Sequence, residues 1–229
     1  MEYKAICLSK MLGIDVFIET DANPTILRFP DPSYCPVGSV EFVREYMRAC
    51  EIAEPAPLDY PEELTKYLYR KVARHASIST VGKHRFVKPV GTKSWTGGIL
   101  RSLTIEPSML DTPIWASDPV NFVCEWRCYV MHGQLLFASR YDDQDDDRPE
   151  PDFQSVKNMI IDYTQAPVAY TLDVGVLDSG ETALVEVSDA WALGLYKPEP
   201  NAPRIALGNY QRAYAEMLWS RWNQLRNLP

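Results

Sequence analysis

Apolar residues in the first third of the chain recur at helical spacing between proline breaks. Beyond His84 the recurrence shortens to every second residue. Pro24, Pro30, Pro32, Pro36, Pro55, Pro57 and Pro61 punctuate the early part. Between them, Ser39 is placed to cap a helix running to about Cys50, with Phe42, Tyr46 and Cys50 on one side. A second helix is expected after Asp59, with Pro61 in its first turn and Leu64, Leu68 and Val72 as its buried stripe. The later segments RFVKPV, ILRSLTI, VNFVCEWRCYVM, QLLFASRY, AYTLDVGVL and TALVEVSD are rich in β-branched and aromatic residues and read as strands. DFQSVKNMIIDYTQ interrupts them as a helix, with Phe153, Val156, Ile160 and Tyr163 aligned. A final helix is expected over about 209–228, its apolar face made by Tyr210, Tyr214, Met217, Leu218, Trp222 and Leu225. Strands clustered between helices predict an α+β fold rather than regular βαβ winding.

Composition narrows the class. The 229 residues are 46% hydrophobic and 24% charged, ordinary globular usage that excludes a disordered or fibrous chain. A formal net charge of -8 argues against broad binding of nucleic acid or an anionic membrane, while leaving room for a local basic cleft. No apolar stretch approaches the roughly 20 residues that cross a bilayer. The first residues, MEYKAICLSKMLGIDVF, have neither a continuous apolar core nor a small-residue cleavage site, so no secretory signal is expected. Five Cys with no CxxC pair predict reduced thiols in the cytoplasm.

Period two also sorts the polar residues. In VNFVCEWRCYVM, Glu125, Arg127 and Tyr129 face one way, and Cys124, Trp126, Cys128 and Val130 the other. A cross-strand ion pair on a solvated face and a ligand contact both account for this Glu and Arg. Asp173 and Glu186 are each embedded in an apolar strand, and Asp189 ends the second one. Three such carboxylates favour a hard cation, Mg²⁺, which offsets their desolvation and mutual repulsion. Lys88 is a lone cation in an apolar strand, followed by Lys93 and a Thr-Gly-Gly turn, a combination able to grip phosphate. Other patterns fall away. The run YDDQDDDRPEPD has Arg148 where a calcium loop needs Gly, the three His lack metal spacing, and no GxxxxGK[ST], GxGxxG or GxSxG occurs.

In order, CPVGS, LDYPEEL, FVKPVGTKSWTGG, ASDPVNFVCEWRCYV, SRY, LDVGVL and VEVSDAWALGLY resemble the ATP-grasp superfamily of carboxylate–amine ligases. The likeness is greatest to its short phage and bacterial members and covers roughly residues 36 to 197. It implies an ATP-grasp fold, two subdomains clasping a nucleotide between antiparallel sheets, after a shortened N-terminal region. The expected division is 1–75 for that region and 76–229 for the ATP-grasp domain.

The resemblance also implies roles. Lys88, helped by Lys93, would contact the ATP phosphates, with Thr96, Gly97 and Gly98 as a mobile loop above them. Trp115, Ala116, Ser117 and Asp118 correspond to the hinge that holds adenine, Asp118 standing where an acidic residue binds ribose. Glu125, Arg127 and Arg140 resemble polar groups near the reacting phosphate, the arginines clamping an acylphosphate and Glu125 orienting Arg127. Asp173, Glu186 and Asp189 resemble the Mg²⁺ carboxylates, although Asp189 stands where many members carry Asn. The implied activity is ATP-dependent joining of a carboxylate to an amine, from an amino acid, peptide or protein, through an acylphosphate. Two alternatives stay open: an ATP-binding regulatory module without turnover, and a kinase-like phosphotransferase. No nucleic-acid or membrane partner is expected, and the oligomeric state is open.

Overall fold

The computed structural model describes residues 28–91, 94–142, 148–198 and 210–227. In chain order these form α1 (Val40–Ala49), β1 (Val72–His75), β2 (Phe86–Pro89), β3 (Gly98–Ile99), a one-turn α2 (Pro107–Leu110), β4 (Ile114–Ser117), β5 (Phe122–Met131), β6 (Gln134–Arg140), α3 (Phe153–Asp162), β7 (Ala169–Leu177), β8 (Thr182–Asp189) and α4 (Tyr210–Arg226). The strands make two antiparallel sheets, a small one in the order β1-β4-β2-β3 and a large one in the order β6-β5-β7-β8. Residues 118–121 cross from one to the other.

Local chemistry explains most of the elements. Ser39 caps α1 by accepting from the Phe42 N–H at 3.2 Å, and Asp152 caps α3 by accepting from Gln154 and Ser155. β5 and β6 join through His132 and Gly133, both at positive φ, as a tight hairpin turn requires. One face of the large sheet carries Trp126, Cys128, Leu172, Val174, Leu184 and Val187 and buries them under Val156, Met159 and Ile160 of α3. Each large side chain so covered contributes about 1.5–3 kcal/mol. On the opposite face, Tyr129 and Phe137 occupy one end and pack against Tyr214 and Met217 of α4. The rest of that face is polar.

Three expectations fail locally. The helix expected after Asp59 is a single 3₁₀ turn over Glu62–Tyr67. Leu64 and Leu68 stay buried, but Val72 turns into β1, because Tyr69 at φ 51 reverses the chain. The strand expected at ILRSLTI shrinks to β3 followed by a 3₁₀ turn at Leu100–Ser102. The segments VARH and IWAS, not anticipated as strands, are β1 and β4. The division expected after residue 75 falls at the end of β1, whose four residues pair with β4, so the small sheet itself includes residues on both sides of it. At the far end, Trp222 of α4 lies against Tyr46 of α1 with ring centroids 5.8 Å apart, tying the two ends of the described chain together. Among the described residues no helix is long and apolar enough to cross a membrane.

Candidate active site

Lys88 sits in β2 between Val87 and Pro89, both buried on the far face of the small sheet. Alternation therefore aims the Lys88 side chain at the large sheet. There its Nζ forms an ion pair with Glu186 of β8, lies 3.8 Å from Asp59 Oδ1, and rests 4.5 Å from the centroid of the Tyr60 ring. Burial acts to depress the ammonium pKa, but Glu186, Tyr60 and Asp59 overcome it and hold the pKa above its ordinary value. The clasp is thus bridged by a charged lysine.

Beside Glu186 across the β7–β8 ladder stands Asp173, its register partner. A bulge follows this pair, so Val185 is the extra residue and Glu186 keeps the polar face while Leu184 keeps the apolar one. Asp173 is 1% exposed and accepts two bonds from Arg127, Nε to Oδ1 at 2.8 Å and Nη2 to Oδ2 at 2.6 Å. The Arg127 guanidinium lies between the rings of Tyr141 and Tyr196, at 5.5 and 5.4 Å from their centroids. Burial alone would weaken its charge; the Asp173 carboxylate raises its pKa instead. Glu125 accepts from the Tyr141 hydroxyl at 2.6 Å. Burial first, then Asp173 and Asp142, push its carboxyl pKa up, against the pull of the Tyr141 bond. Burial and the charges of Asp173 and Glu125 push the Tyr141 phenol up as well.

The sequence-expected residues divide accordingly. Lys88, Glu186, Asp173, Arg127 and Glu125 share the face between the sheets. Arg127 is committed to Asp173, however, and Glu125 to Tyr141, so Glu125 does not orient Arg127 as expected. Asp189 is separated from Asp173 and Glu186. It pairs with Tyr170 in the ladder, on the opposite side of β8 from Glu186, and Arg221 of α4 holds it with two bonds at 2.7 and 2.6 Å. Its odd spacing from Glu186 is the reason, since period two sends residues three apart to opposite faces. Arg140 pairs with Trp126, on the face away from Arg127, and donates to Asp142 at 2.7 Å.

In the hinge, β4 is flanked by β1 and β2, so the backbone groups of Trp115, Ala116 and Ser117 belong to two ladders. Asp118 forms an ion pair with Arg85 and accepts from the Lys71 N–H. Backbone groups open to a base therefore lie past Asp118, in the crossing segment. Gly98 is a strand residue opposite Val87, and a Cβ on Gly97 would come within 3.0 Å of Lys88 Cβ, so both glycines let the chain lie close over β2. Thr96 is exposed beside them. Lys93 lies outside the described residues.

Two groups escaped sequence reading. Asp59, at φ 39, accepts from the Trp115 indole N–H at 2.7 Å and from the Gly91 N–H at 3.1 Å, while its own carbonyl accepts from the Val187 N–H at 2.8 Å. One residue thus joins β4, the loop after β2, and β8. Arg70 donates to the Leu184 and Val185 carbonyls at 2.8 and 3.0 Å and lies near the Tyr60 and Phe122 rings, its pKa depressed by burial. The only signal for Asp59 was its place before Tyr60 and Pro61 in LDYP, since Asp tolerates the left-handed region.

Among the described residues no three His, Cys, Asp or Glu side chains converge on a point. Asp173 and Glu186 do offer adjacent carboxylate oxygens, and Mg²⁺ is ordinarily held by one or two carboxylates, with phosphates and waters completing its shell. The donor set therefore fits that ion with two protein ligands.

Residues 20–216 match the model of an ATP-grasp domain, family 3 of its clade. The chain belongs to this ATP-grasp family. Of the similar solved structures, that of D-cycloserine synthetase DcsG is 16% identical, with a TM-score of 0.50 over 96% of this chain and 94% of that one, and shares the fold. D-alanine–D-alanine ligase from Bacillus anthracis complexed with ATP gives 16% identity and a TM-score of 0.42 over 81% of this chain and 66% of that one. ATP-grasp ligase PsnB complexed with a minimal precursor gives 11% identity and a TM-score of 0.41 over 78% of this chain and 67% of that one. In two further PsnB complexes the ATP-grasp chain spans only 52% and 60% of the matched protein's length. No curated protein matches the sequence.

Proposed function

We propose that this ATP-grasp protein is an ATP-dependent carboxylate–amine ligase. The observation that carries it is the Lys88–Glu186 contact between the two sheets, with Asp173 next to Glu186: a cation and two acidic groups gathered at the mouth of a clasp. Family membership supports ATP as the nucleotide. Lys88 would exchange Glu186 for phosphate oxygens, and Gly97 and Gly98 let the backbone approach them. Arg127 acts as a positioning residue, holding Asp173 in one orientation rather than clamping the acylphosphate. Glu186 and Asp173 would hold Mg²⁺, which when bound supplies positive charge to the phosphates.

A substrate carboxylate oxygen attacks the γ-phosphorus, the bond to the β–γ bridging oxygen breaks, and ADP leaves. An amine then attacks the acyl carbon of the acylphosphate, the carbon–oxygen bond breaks, and phosphate and a proton depart. Lys88 offsets the charge that two approaching anions bring together.

A trapping assay tests this. With ATP, Mg²⁺ and a panel of carboxylates, hydroxylamine should capture the activated acyl group as a hydroxamate in step with ADP. A second proposal, a clasp that holds ATP without turnover, is favoured by the engagement of both carboxylates with internal cations. It predicts bound, unconsumed ATP and no hydroxamate. A phosphorylated product in place of hydroxamate would point to phosphotransfer instead.

A further inference from the structure

Charge is unevenly distributed along this chain. From Leu64 to Ile105 there are nine Lys or Arg and no Asp or Glu, which leaves 14 cationic against 31 acidic residues elsewhere. The run builds β1, β2, β3 and the turns between them. Two of its cations are used internally, Lys88 against Glu186 and Arg70 on backbone carbonyls. Others gather at the end of the small sheet near the crossing segment. Arg85 Nη2 reaches the Lys71 carbonyl at 3.3 Å, the Arg101 N–H donates to the Lys83 carbonyl at 2.8 Å, and Arg101 Nη1 lies 3.4 Å from His84 Nδ1.

Lys71, Arg74, Lys83, His84 and Arg101 are exposed. The carboxylate among them, Asp118, is already taken by Arg85 and the Lys71 N–H. Like charges held together in this way repel one another, and a polyanion relieves the repulsion. The rim also borders an edge, because β1 has a partner only on its β4 side, and Ala73 and Arg74 are exposed along it.

We propose that this basic rim is a docking surface for an acidic stretch of polypeptide, laid in extended form along the free edge of β1. An extended peptide can match both features at once, backbone to the open edge and carboxylates to the cations. A nucleic acid matches only the charge, and beyond the small sheet it would meet the acidic remainder of the chain. Such docking deepens the ligase reading and rests on it only for the later step, the activation of a carboxylate on the docked chain. Docking itself needs no nucleotide.

The test uses the full chain and a fluorescein-labelled oligo-glutamate peptide, followed by anisotropy without nucleotide at low and high salt. Wild type should bind, and binding should weaken with salt. The double variant Lys83→Glu/Arg101→Glu should bind about tenfold more weakly, while its affinity for a non-hydrolysable ATP analogue stays unchanged. Lys83→Gln/Arg101→Gln should show the same direction with a smaller loss, and it serves if the charge reversal does not fold. Equal peptide binding by wild type and the Gln variant overturns the proposal. So does the absence of peptide binding at low salt, or equal binding of a single-stranded oligonucleotide of matched charge. Peptide docking by a protein that fails to bind the ATP analogue would remove the ligase reading and leave the docking surface standing.

Discussion

Asp173 and Asp189 are held almost identically and sit in different company. Each accepts two bonds from one arginine, at 2.8 and 2.6 Å from Arg127 and at 2.7 and 2.6 Å from Arg221. Their side chains are 2% and 5% exposed. Asp173 has Glu186 beside it across the ladder and Lys88 just beyond, on the face that closes against the small sheet. Asp189 has Tyr170 as its register partner, caps the turn at Trp191, and is gripped from α4. A buried Arg–Asp fork therefore says nothing by itself about function. A second carboxylate and a cation from another element separate an exchangeable site from a structural staple.

The largest effect should come from breaking the staple. Arg221→Ala leaves Asp189 buried without its cation and should cost about 3–5 kcal/mol of stability. Urea denaturation measures it, and Arg221→Leu combined with Asp189→Leu should recover most of the loss. The ion pair at the clasp should respond differently. Glu186→Gln should leave the fold intact and slow turnover by about 10²- to 10³-fold, read as hydroxamate formed per ADP and per unit time.

Asp59→Asn should sharpen the contrast by a smaller margin. It removes a charge near Lys88 and leaves the Trp115 or Gly91 N–H with a poorer partner, a loss of about 1–3 kcal/mol by denaturation. It should also weaken ATP-analogue binding, which Asp189→Asn should not.

The smallest effect concerns pH. Because burial raises the Glu125 pKa above its ordinary 4.5, the carboxyl is better accommodated protonated. Its contribution to stability is complete below about pH 4.5 and is lost as pH rises through the folded-state value. Glu125→Gln should flatten the stability profile over that window and leave it unchanged at lower pH.

Alternation alone makes much of this structure legible. It places Glu125, Arg127 and Tyr129 on one face, and the long strands β5 to β8 lie where it sets them. The ordered motifs carry the family. The misses share a cause. β1 and β4 are four residues long, too short for a period to show, and both are strands because each has a neighbour to pair with. The second helix fails at Tyr69, where a residue at positive φ bends the chain out of helical register. Motif order groups Asp189 with Glu186, against the parity that separates them. Arg221 and Asp59, the groups that decide what Asp189 and Lys88 do, lie 32 and 29 positions away along the chain, and only the tertiary fold connects them.

The central claim is that Lys88, Glu186 and Asp173 form one nucleotide-and-cation site while Asp189 belongs to the scaffold. Calorimetry with a non-hydrolysable ATP analogue, with and without Mg²⁺, tests it most directly on wild type, Asp173→Asn/Glu186→Gln and Asp189→Asn. Wild type and Asp189→Asn should bind in a Mg²⁺-dependent manner, and the double variant should lose that dependence together with most of its affinity. Wild-type, Mg²⁺-dependent binding by a folded Asp173→Asn/Glu186→Gln protein would contradict it.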